Sequence, residues 1–453
     1  MNRSLIAKLG TIGLLVLLLL IPIYMIKGII SERQYQRDQV LADIARSSSD
    51  QQKITGPLLV VPYRKTVRLT GVRHDVPYEE TKEQRGTLYF LPETFELQGS
   101  MTTEIRERGI YRARLFHARS TLSGTFSIPA LWGITEDGAD YEFGTPYLAI
   151  GIRDIRGIEN SPKLRFNGEV QAFEPGTLVD FLGDGIHAPL KVRAAKDSHI
   201  VEFSLDLDLQ GTSQLDLVPV GRESRVSLAS DWPHPSFIGN YLPTRREVGP
   251  EGFSADWQTS FFSTNLQAAL DACTVNSQCE SFQGRTIGVS LLDPVDQYLK
   301  SDRAIKYALL FICLTFACFF LLEVLKRLAV HPIQYGLVGL SLAIFYLLLM
   351  SLAEHIGFTA AYVISAAACV SLNGYYAASA LRGWIRGLGF GTGLAALYGL
   401  LFGLLSAEDY ALLMGSILVF AVLGLFMVLT RNVDWFSMGK VQGSAAHIGV
   451  DIE

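Results

Sequence analysis

Apolar residues are concentrated near the two ends of the chain and are sparser between them. Residues 9–26 (LGTIGLLVLLLLIPIYMI) form one apolar run near the start. Five more apolar runs crowd the last third of the chain, at residues 304–325, 332–352, 357–381, 388–405 and 410–429. A helix needs about 20 apolar residues to cross a hydrocarbon core about 30 Å thick. The pattern therefore predicts six membrane-spanning helices.

The first apolar run could instead be a cleaved signal peptide. Such a peptide has an apolar core of about 7–15 residues followed by a cleavage site of small residues. Here the run is longer, and the segment that follows it, KGIISERQYQRD, contains no such site. We therefore expect a retained signal anchor.

Charged residues alternate between the two sides of the predicted spans. One set of ends and connections carries Arg3, Lys8, Lys326, Arg327, Arg382, Arg386, Arg431 and Lys440. The other set carries Glu354 with His355, and Glu408 with Asp409. Basic residues mark the cytoplasmic face of a membrane protein. This predicts that both termini are cytoplasmic and that one large loop is exported to the periplasm.

The topology divides the chain into four parts. Residues 1–28 are the cytoplasmic N-terminus and transmembrane anchor, and residues 29–303 are a periplasmic domain inserted between the first two spans. Residues 304–430 form a five-helix bundle, and residues 431–453 are a cytoplasmic tail. The expected location is the inner membrane of a bacterium, with the lipid bilayer as the first partner.

The exported segment changes its pattern along its length. Residues 30–47 carry apolar side chains at helical spacing and are expected to form a helix. Beyond the Gly56-Pro57 turn signal the period becomes two, most clearly in IVEFSLDLDLQ at residues 200–210, and also at 111–115 and 122–128. Alternation of this kind, with frequent Gly and Pro, is typical of short strands with one buried face. We expect an all-β domain resembling an antiparallel sandwich.

Composition narrows the chemistry further. The formal net charge is only −5, which gives no sign of nucleic-acid binding. Three of the five cysteines lie within predicted spans, whereas Cys273 and Cys279 lie in the exported loop. Oxidising compartments favour disulfides, and no further metal ligands stand nearby at suitable spacing. A Cys273–Cys279 disulfide is expected, with no metal and no cofactor.

The stretch SDWPHPSF, residues 230–237, places an acid, a histidine and two serines close together. Pro233 and Pro235 restrict the backbone around Trp232 and His234, and they remove two donors, which favours an edge or a loop. Neither GxSxG nor HExxH occurs in the chain. We favour a structural corner, with a ligand or partner contact through Trp232 and His234 as the alternative, and we expect no catalytic residue.

A basic run, GIYRARLFHARS, begins at Gly109 and contains Arg112 and Arg114. Arginines along a strand face can bind anionic lipid headgroups or glycans. The alternative is a solvated outer face whose charge is balanced by Glu104 and Glu107. Both interpretations remain open.

The predicted spans contain almost no charge at mid-depth. Glu323 is the nearest candidate, and it falls close to the cytoplasmic end of its span, where Arg327, four residues on, could pair with it. Glycines dominate the fifth span, where Gly389-x-x-x-Gly393 and Gly399-x-x-x-Gly403 are predicted to allow close helix packing.

Several stretches together resemble one family. They are GIISERQYQRDQVLADIARSSSDQQKITGPLLVVPY, ERGIYRARLFHARSTLSGTFSIP, LASDWPHPSFIGNYLP, HPIQYGLVGLSLAIFYLLLMSLAEHIGF and GFTAAYVISAAACVSLNGYY. Over essentially the whole chain the sequence is similar to the CreD family of inner-membrane proteins. This resemblance implies a role in cell envelope integrity, in stress responses and in tolerance to colicins. It carries over no catalytic residue.

Two classes of mechanism are compatible with the sequence. The first is binding of envelope proteins, lipids or glycans by the periplasmic domain, which includes a sensor that passes signals to the bundle. The second is transport of a lipid or solute, which would require a hydrated cavity lined by polar residues such as Asn373, Tyr375 and Glu323. We expect binding rather than catalysis or transport.

Overall fold

The structure is a computed structural model that describes residues 3–73, 76–136, 140–291, 297–326, 330–406 and 411–431. The chain divides into two compact units. One comprises Met1–Arg37 with Val295–Glu453, and the other comprises Asp38–Pro294. Below they are called the helical unit and the β domain.

Helices make up almost all of the helical unit. In chain order the helices are α1 (Arg3–Ser47), α2 (Phe261–Thr264), α3 (Leu266–Asn276), α4 (Glu280–Gln283), α5 (Gln297–Lys306), α6 (Ala308–Lys326), α7 (Pro332–Ile356), α8 (Phe358–Ala380), α9 (Trp384–Ser406) and α10 (Ala411–Thr430). The short helices α2 to α4 belong to the β domain.

Each predicted span coincides with a helix or a helix pair. The helices α1, α7, α8 and α9 are long and apolar enough to cross a membrane, and α5 with α6 forms a fifth candidate that is bent by 46°. In α10 the apolar segment Leu413–Leu425 is shorter. The count of six spans therefore stays a prediction. Among the charged residues that indicated the topology, Arg327, Glu408, Asp409 and Lys440 lie outside the described residues.

The first helix is longer than either of the two helical segments expected from the sequence. The anchor and the helix expected at residues 30–47 form one element, α1, which contains Pro22 and continues to Ser47. A proline is tolerated inside a membrane helix because neighbouring groups can satisfy the freed carbonyl.

The β domain contains the strands of the molecule. They are β1 (Gln52–Arg73), β2 (Val76–Phe90), β3 (Thr94–Arg108), β4 (Tyr111–Ile128), β5 (Tyr141–Phe143), β6 (Tyr147–Ile152), β7 (Lys163–Phe166), β8 (Glu169–Ala172), β9 (Glu174–Pro175), β10 (Gly185–Pro189), β11 (His199–Thr212), β12 (Gln214–Val218), β13 (Glu223–Ser230), β14 (Pro235–Gly239), β15 (Arg245–Gly249), β16 (Gly252–Ser260) and β17 (Ile287–Leu291).

These strands form two sheets. The nine-stranded sheet has the order β14-β17-β12-β1-β6-β10-β9, with β2 and β5 also paired to β1, and the eight-stranded sheet has the order β15-β16-β13-β3-β4-β11-β7-β8. The all-β prediction is confirmed, but the sheets are mixed rather than purely antiparallel. The pairs β1·β12 and β3·β13 are parallel. Parallel neighbours require a long connection, and here more than a hundred residues separate the partners in each pair.

Alternating residues of both sheets share one hydrophobic core. In β11, the predicted inward residues Val201, Phe203, Leu205, Leu207 and Leu209 are each at most 2% exposed. Their polar neighbours lie on the opposite face, as the period of two requires.

The last turns of α1 cover the outer face of the eight-stranded sheet. Ile44 of α1 is buried against Ala113 and Leu115 of β4, and Val40 and Leu41 pack at the edge of this contact. This part of β4 is therefore apolar on both faces, since Phe116 belongs to the core between the sheets.

The packing predicted for the glycines of α9 is wrong for most of them. A Cβ atom added at Gly389, Gly393 or Gly399 would meet nothing within 4 Å. The close contact with α8 is made by another face of α9. There a Cβ on Gly387 would lie 2.4 Å from the Ala378 Cβ, and one on Gly391 would lie 3.5 Å from the Gly374 Cα.

Candidate functional site

The residues of SDWPHPSF form a corner that leads into an edge strand. Pro235 begins β14, which lies at the edge of the nine-stranded sheet, where a missing N–H is tolerated. The Phe237 ring packs edge-on against Phe253 and Trp257 of the other sheet, with centroid separations of 5.7 Å in both cases. The segment after the corner thus joins the two sheets.

Hydrogen bonds hold the corner in place. The Asp231 carboxylate accepts from the backbone N–H of Thr103 on β3, at 3.0 and 3.1 Å. The Trp232 indole N–H donates to the carbonyl oxygen of His234 at 2.9 Å. The acid of the corner is bonded to the backbone of β3, and the backbone carbonyl of the histidine is bonded to the Trp232 indole.

Three of the four candidate contact residues come together at this corner. The Arg114 guanidinium carbon lies 3.3 Å from the centroid of the Trp232 ring, and the His234 ring lies edge-on to Trp232 at 5.6 Å. Arg112 stands two positions before Arg114 on β4 and pairs with Glu107 at 2.9 Å. Of the four candidates, His234 and Arg112 are exposed, whereas Trp232 and Arg114 are partly buried, Trp232 against the core.

Arg106 and Arg108, which precede the basic run, also have acidic neighbours. Arg106 pairs with Glu104 at 3.2 Å, and Arg108 lies 3.6 Å from Asp43 of α1. The region is therefore a mixed-charge surface rather than a uniformly positive patch.

Cys273 and Cys279 are joined in a disulfide. Cys273 is buried near the end of α3, and Cys279 immediately precedes α4. The bond closes the turn between the two short helices. Among the described residues, no cluster of three or more His, Cys, Asp or Glu side chains is arranged to hold a metal ion.

His117 lies between two carboxylates on the outer face of β4. Its Nδ1 is 2.9 and 3.0 Å from the two carboxylate oxygens of Glu159, and its Nε2 is 3.2 Å from Glu104. Burial opposes the charged ring, but the hydrogen bonds with Glu159 and Glu104 outweigh it and raise the pKa of His117 above its ordinary value. Hydrogen bonds from His117 and Arg106 lower the pKa of Glu104.

Sequence reasoning missed this arrangement. Glu104 is 13 positions from His117, and Glu159 is 42 positions away. The register of the β3–β4 hairpin could have indicated the Glu104 contact. It sets Thr102 opposite His117 and so brings Glu104 to a diagonal position on the same face.

In the helical unit, Glu323 is a buried carboxylate with several donors around it. It is 4% exposed and forms an ion pair with Lys8 of α1. It also accepts from the Val330 backbone N–H at 2.9 Å and from the Tyr335 hydroxyl at 2.8 Å. The sequence had suggested Arg327 as its partner, and Arg327 lies outside the described residues.

A second ion pair holds α1 further along its length. The Arg33 guanidinium lies 3.7 Å from Glu354, in the last turn of α7, and the same carboxylate accepts from the Tyr298 hydroxyl of α5 at 3.1 Å. The beginning of α1 thus meets the beginning of α7, and Arg33 meets the end of α7. The two helices therefore run parallel.

Polar side chains in the middle of α7, α8 and α9 are bonded to one another. The Asn373 amide donates to the Ser341 hydroxyl at 2.7 Å and to the Cys369 sulfur at 3.2 Å. The Tyr398 hydroxyl donates to the same sulfur at 3.1 Å. Asn373 is 2% exposed, whereas Tyr375, which the transport hypothesis required beside it, is 75% exposed. These groups do not line an open channel together.

The family model of the inner membrane protein CreD matches residues 4–436. The chain belongs to the CreD family. A curated relative, inner membrane protein CreD of Escherichia coli strain K12, is 39% identical over 434 residues, which cover 95% of this chain and 94% of the relative. Family membership and the apolar helices together support a location in the inner membrane.

A comparison with solved structures adds no functional information. An M1 zinc metallopeptidase from Deinococcus radiodurans overlaps 37% of this chain and 39% of its own, with 10% identity and a TM-score of 0.21. A likeness this weak carries no argument about fold or chemistry for this CreD-family chain.

Proposed function

We propose that this CreD-family protein crosses the inner membrane six times, with both termini in the cytoplasm and the β domain in the periplasm. The parallel course of α1 and α7 supports this arrangement, because the first and third spans of such a protein cross in the same direction. The basic residues Lys8 and Lys326 at the corresponding ends support the same orientation.

Within this topology, we propose that the protein maintains the cell envelope by binding a partner through its β domain, without catalysis. The supporting observation is a contrast between the two units. In the helical unit, the interior polar groups of Asn373, Ser341, Cys369 and Tyr398 bond to each other, while His234 and Arg112 present exposed polar groups on the β domain. The partner would be an envelope protein, an anionic lipid headgroup or a glycan.

Transport of a lipid or solute is the second candidate function. It is favoured by Glu323, because ionisable residues within membrane helices often mark substrate or ion pathways. Against it, the carboxylate is already matched by Lys8, Tyr335 and a backbone N–H. This set of contacts fits a structural pair better than a site that exchanges a ligand.

A complementation experiment separates the two candidates. In a strain that lacks the protein, sensitivity to detergent and colicin would be measured with Arg112→Gln/His234→Gln, which alters the proposed contact surface, and with Ser341→Ala and Asn373→Leu, which remove the interior polar groups. Membrane abundance is the control for folding. The binding proposal predicts that the surface variant accumulates but fails to protect, while the interior variants that accumulate still protect. The reverse pattern would support transport.

A further inference from the structure

The bonding of His117 is compatible with only one protonation state of its ring. Both ring nitrogens face carboxylate oxygens, from Glu159 on one side and Glu104 on the other. An ionised carboxylate can only accept, and a neutral imidazole has a single N–H. The two hydrogen bonds can therefore exist together only when the ring is protonated.

Glu159 belongs to a short connecting segment, residues 154–160, which we call the latch. Its later part lies on β11, since the Glu159 N–H donates to the Asp208 carbonyl at 2.9 Å and the Asn160 amide donates to the Asp206 carbonyl at 3.0 Å. The His117 ring adds a side-chain bond that reaches from β4 to the same segment.

The earlier part of the latch holds the end of α1. The Arg156 guanidinium donates to the carbonyl oxygen of Arg46 in the last turn of α1 at 2.6 Å, and to the Asp154 carboxylate at 2.9 and 2.6 Å. Asp154 in turn accepts from the Asp50 backbone N–H at 2.9 Å. The latch thus connects the carbonyl end of α1 to the outer face of the eight-stranded sheet.

Other polar and charged groups lie around His117 and its two carboxylates. Hydrogen bonds from the Arg156 side chain lower the pKa of Asp154 to about 2, so this carboxylate stays ionised. Arg106 pairs with Glu104, Gln210 lies opposite His117 on β11, and Arg119 and Asp208 form the neighbouring cross-strand pair. Asp43 and Arg46 form an ion pair near the end of α1, the helix whose last turns cover this face of the sheet. Among all of these side chains, a histidine is the one that titrates between about pH 5 and 8.

We infer that Glu104, His117 and Glu159 form a pH-sensitive bridge that fastens the latch, and with it the end of α1, more firmly as the pH falls. Protonation of the ring from solvent completes the second hydrogen bond. Loss of that proton leaves one nitrogen facing a carboxylate with no hydrogen between them. The inference adds a regulatory role to the proposed function. It rests on the proposed function in one respect, that a periplasmic domain would be exposed to the external pH.

The direction of the pH effect on stability follows from the thermodynamic linkage between proton binding and folding. A histidine whose pKa is raised in the folded protein contributes stability that is fully present below the unfolded value of about 6.5. The contribution is lost as the pH rises through the folded value. The latch is therefore expected to be tightest in mild acid and to loosen toward alkaline pH.

Hydrogen–deuterium exchange of the purified full-length protein in detergent tests the inference. Exchange would be compared between about pH 5 and about pH 8, the range in which histidine titrates, after correction for intrinsic rates. Peptides covering residues 45–52 and 153–160 should exchange roughly threefold to tenfold more slowly in acid. His117→Gln should abolish this difference. The control His199→Gln, on β11 and without a carboxylate partner among the described residues, should preserve it.

An NMR titration of His117 in the wild-type protein covers the case in which His117→Gln fails to accumulate. A midpoint above about 6.5, together with acid-slowed exchange of the latch peptides, supports the inference. A midpoint at or below that value, or a pH dependence that is the same in wild type and His117→Gln, would overturn it. Neither readout depends on a bound partner, so the proposed binding function can fail independently.

Discussion

The ammonium group of Lys8 forms an ion pair with the carboxylate of Glu323, which stands 315 positions later in the chain. The pair joins the first helix of the chain to α6, and the Tyr335 hydroxyl adds α7 to the same group. Removing one member of a buried ion pair typically costs about 3–5 kcal/mol, because the other charge is left uncompensated.

Lys8→Met should therefore lower the melting temperature of the purified protein and reduce its abundance in the membrane. Lys8→Met/Glu323→Gln should recover a large part of both losses, since no unpaired charge remains. Lys27→Met, at an exposed position of the same helix, serves as the matched control and should have little effect. Equal losses in the single and double variants would show that the ion pair does not fasten α1.

At the SDWPHPSF corner, packing should matter more than ionisable groups for folding. Trp232→Ala removes the ring that contacts Arg114 and the core, and truncations of well-packed aromatic residues cost up to about 3–5 kcal/mol. Because Trp232 is only partly buried, we expect the lower end of that range and a clear drop in folded protein on immunoblots of membranes. His234→Gln should leave abundance unchanged. Normal accumulation of Trp232→Ala would refute the structural role of the corner.

The Cys273–Cys279 disulfide closes a short loop, so its contribution to stability should be modest. In the chain-entropy model such a loop contributes about 2 kcal/mol. Cys273→Ser/Cys279→Ser should lower the denaturation midpoint without preventing folding. Alkylation and mass spectrometry of protein from intact cells should find both thiols blocked. If both are free, the bond does not form in the cell.

The helices and strands with a regular hydrophobic pattern could be predicted from the sequence. The alternation from Val201 to Leu209 indicated a half-buried strand, and the apolar runs indicated the helices of the helical unit. In both cases the signal lies within one element, because it reflects the period of that element.

Relationships between distant residues could not be predicted in the same way. The partner of Glu323 was expected at the helical neighbour Arg327, yet the described contact is with Lys8, and nothing in the local pattern connects the two. The glycine spacing at Gly389 and Gly393 indicated a face capable of close packing, but the structure packs the face with Gly387 and Gly391. The spacing of the glycines shows which faces of the helix could pack closely. The tertiary arrangement determines which of these faces has a neighbouring helix.

The disulfide, the external pH and the envelope partner all depend on the exported position of the β domain. Reporter fusions read by periplasmic phosphatase activity and cytoplasmic fluorescence test it directly. Fusions after Leu291 and Glu354 should report periplasm, and fusions after Lys326 and Arg386 should report cytoplasm. A further fusion after Asp409, in the part of the chain that the structure does not describe, should report periplasm. A cytoplasmic signal after Leu291 would show that the β domain is not exported.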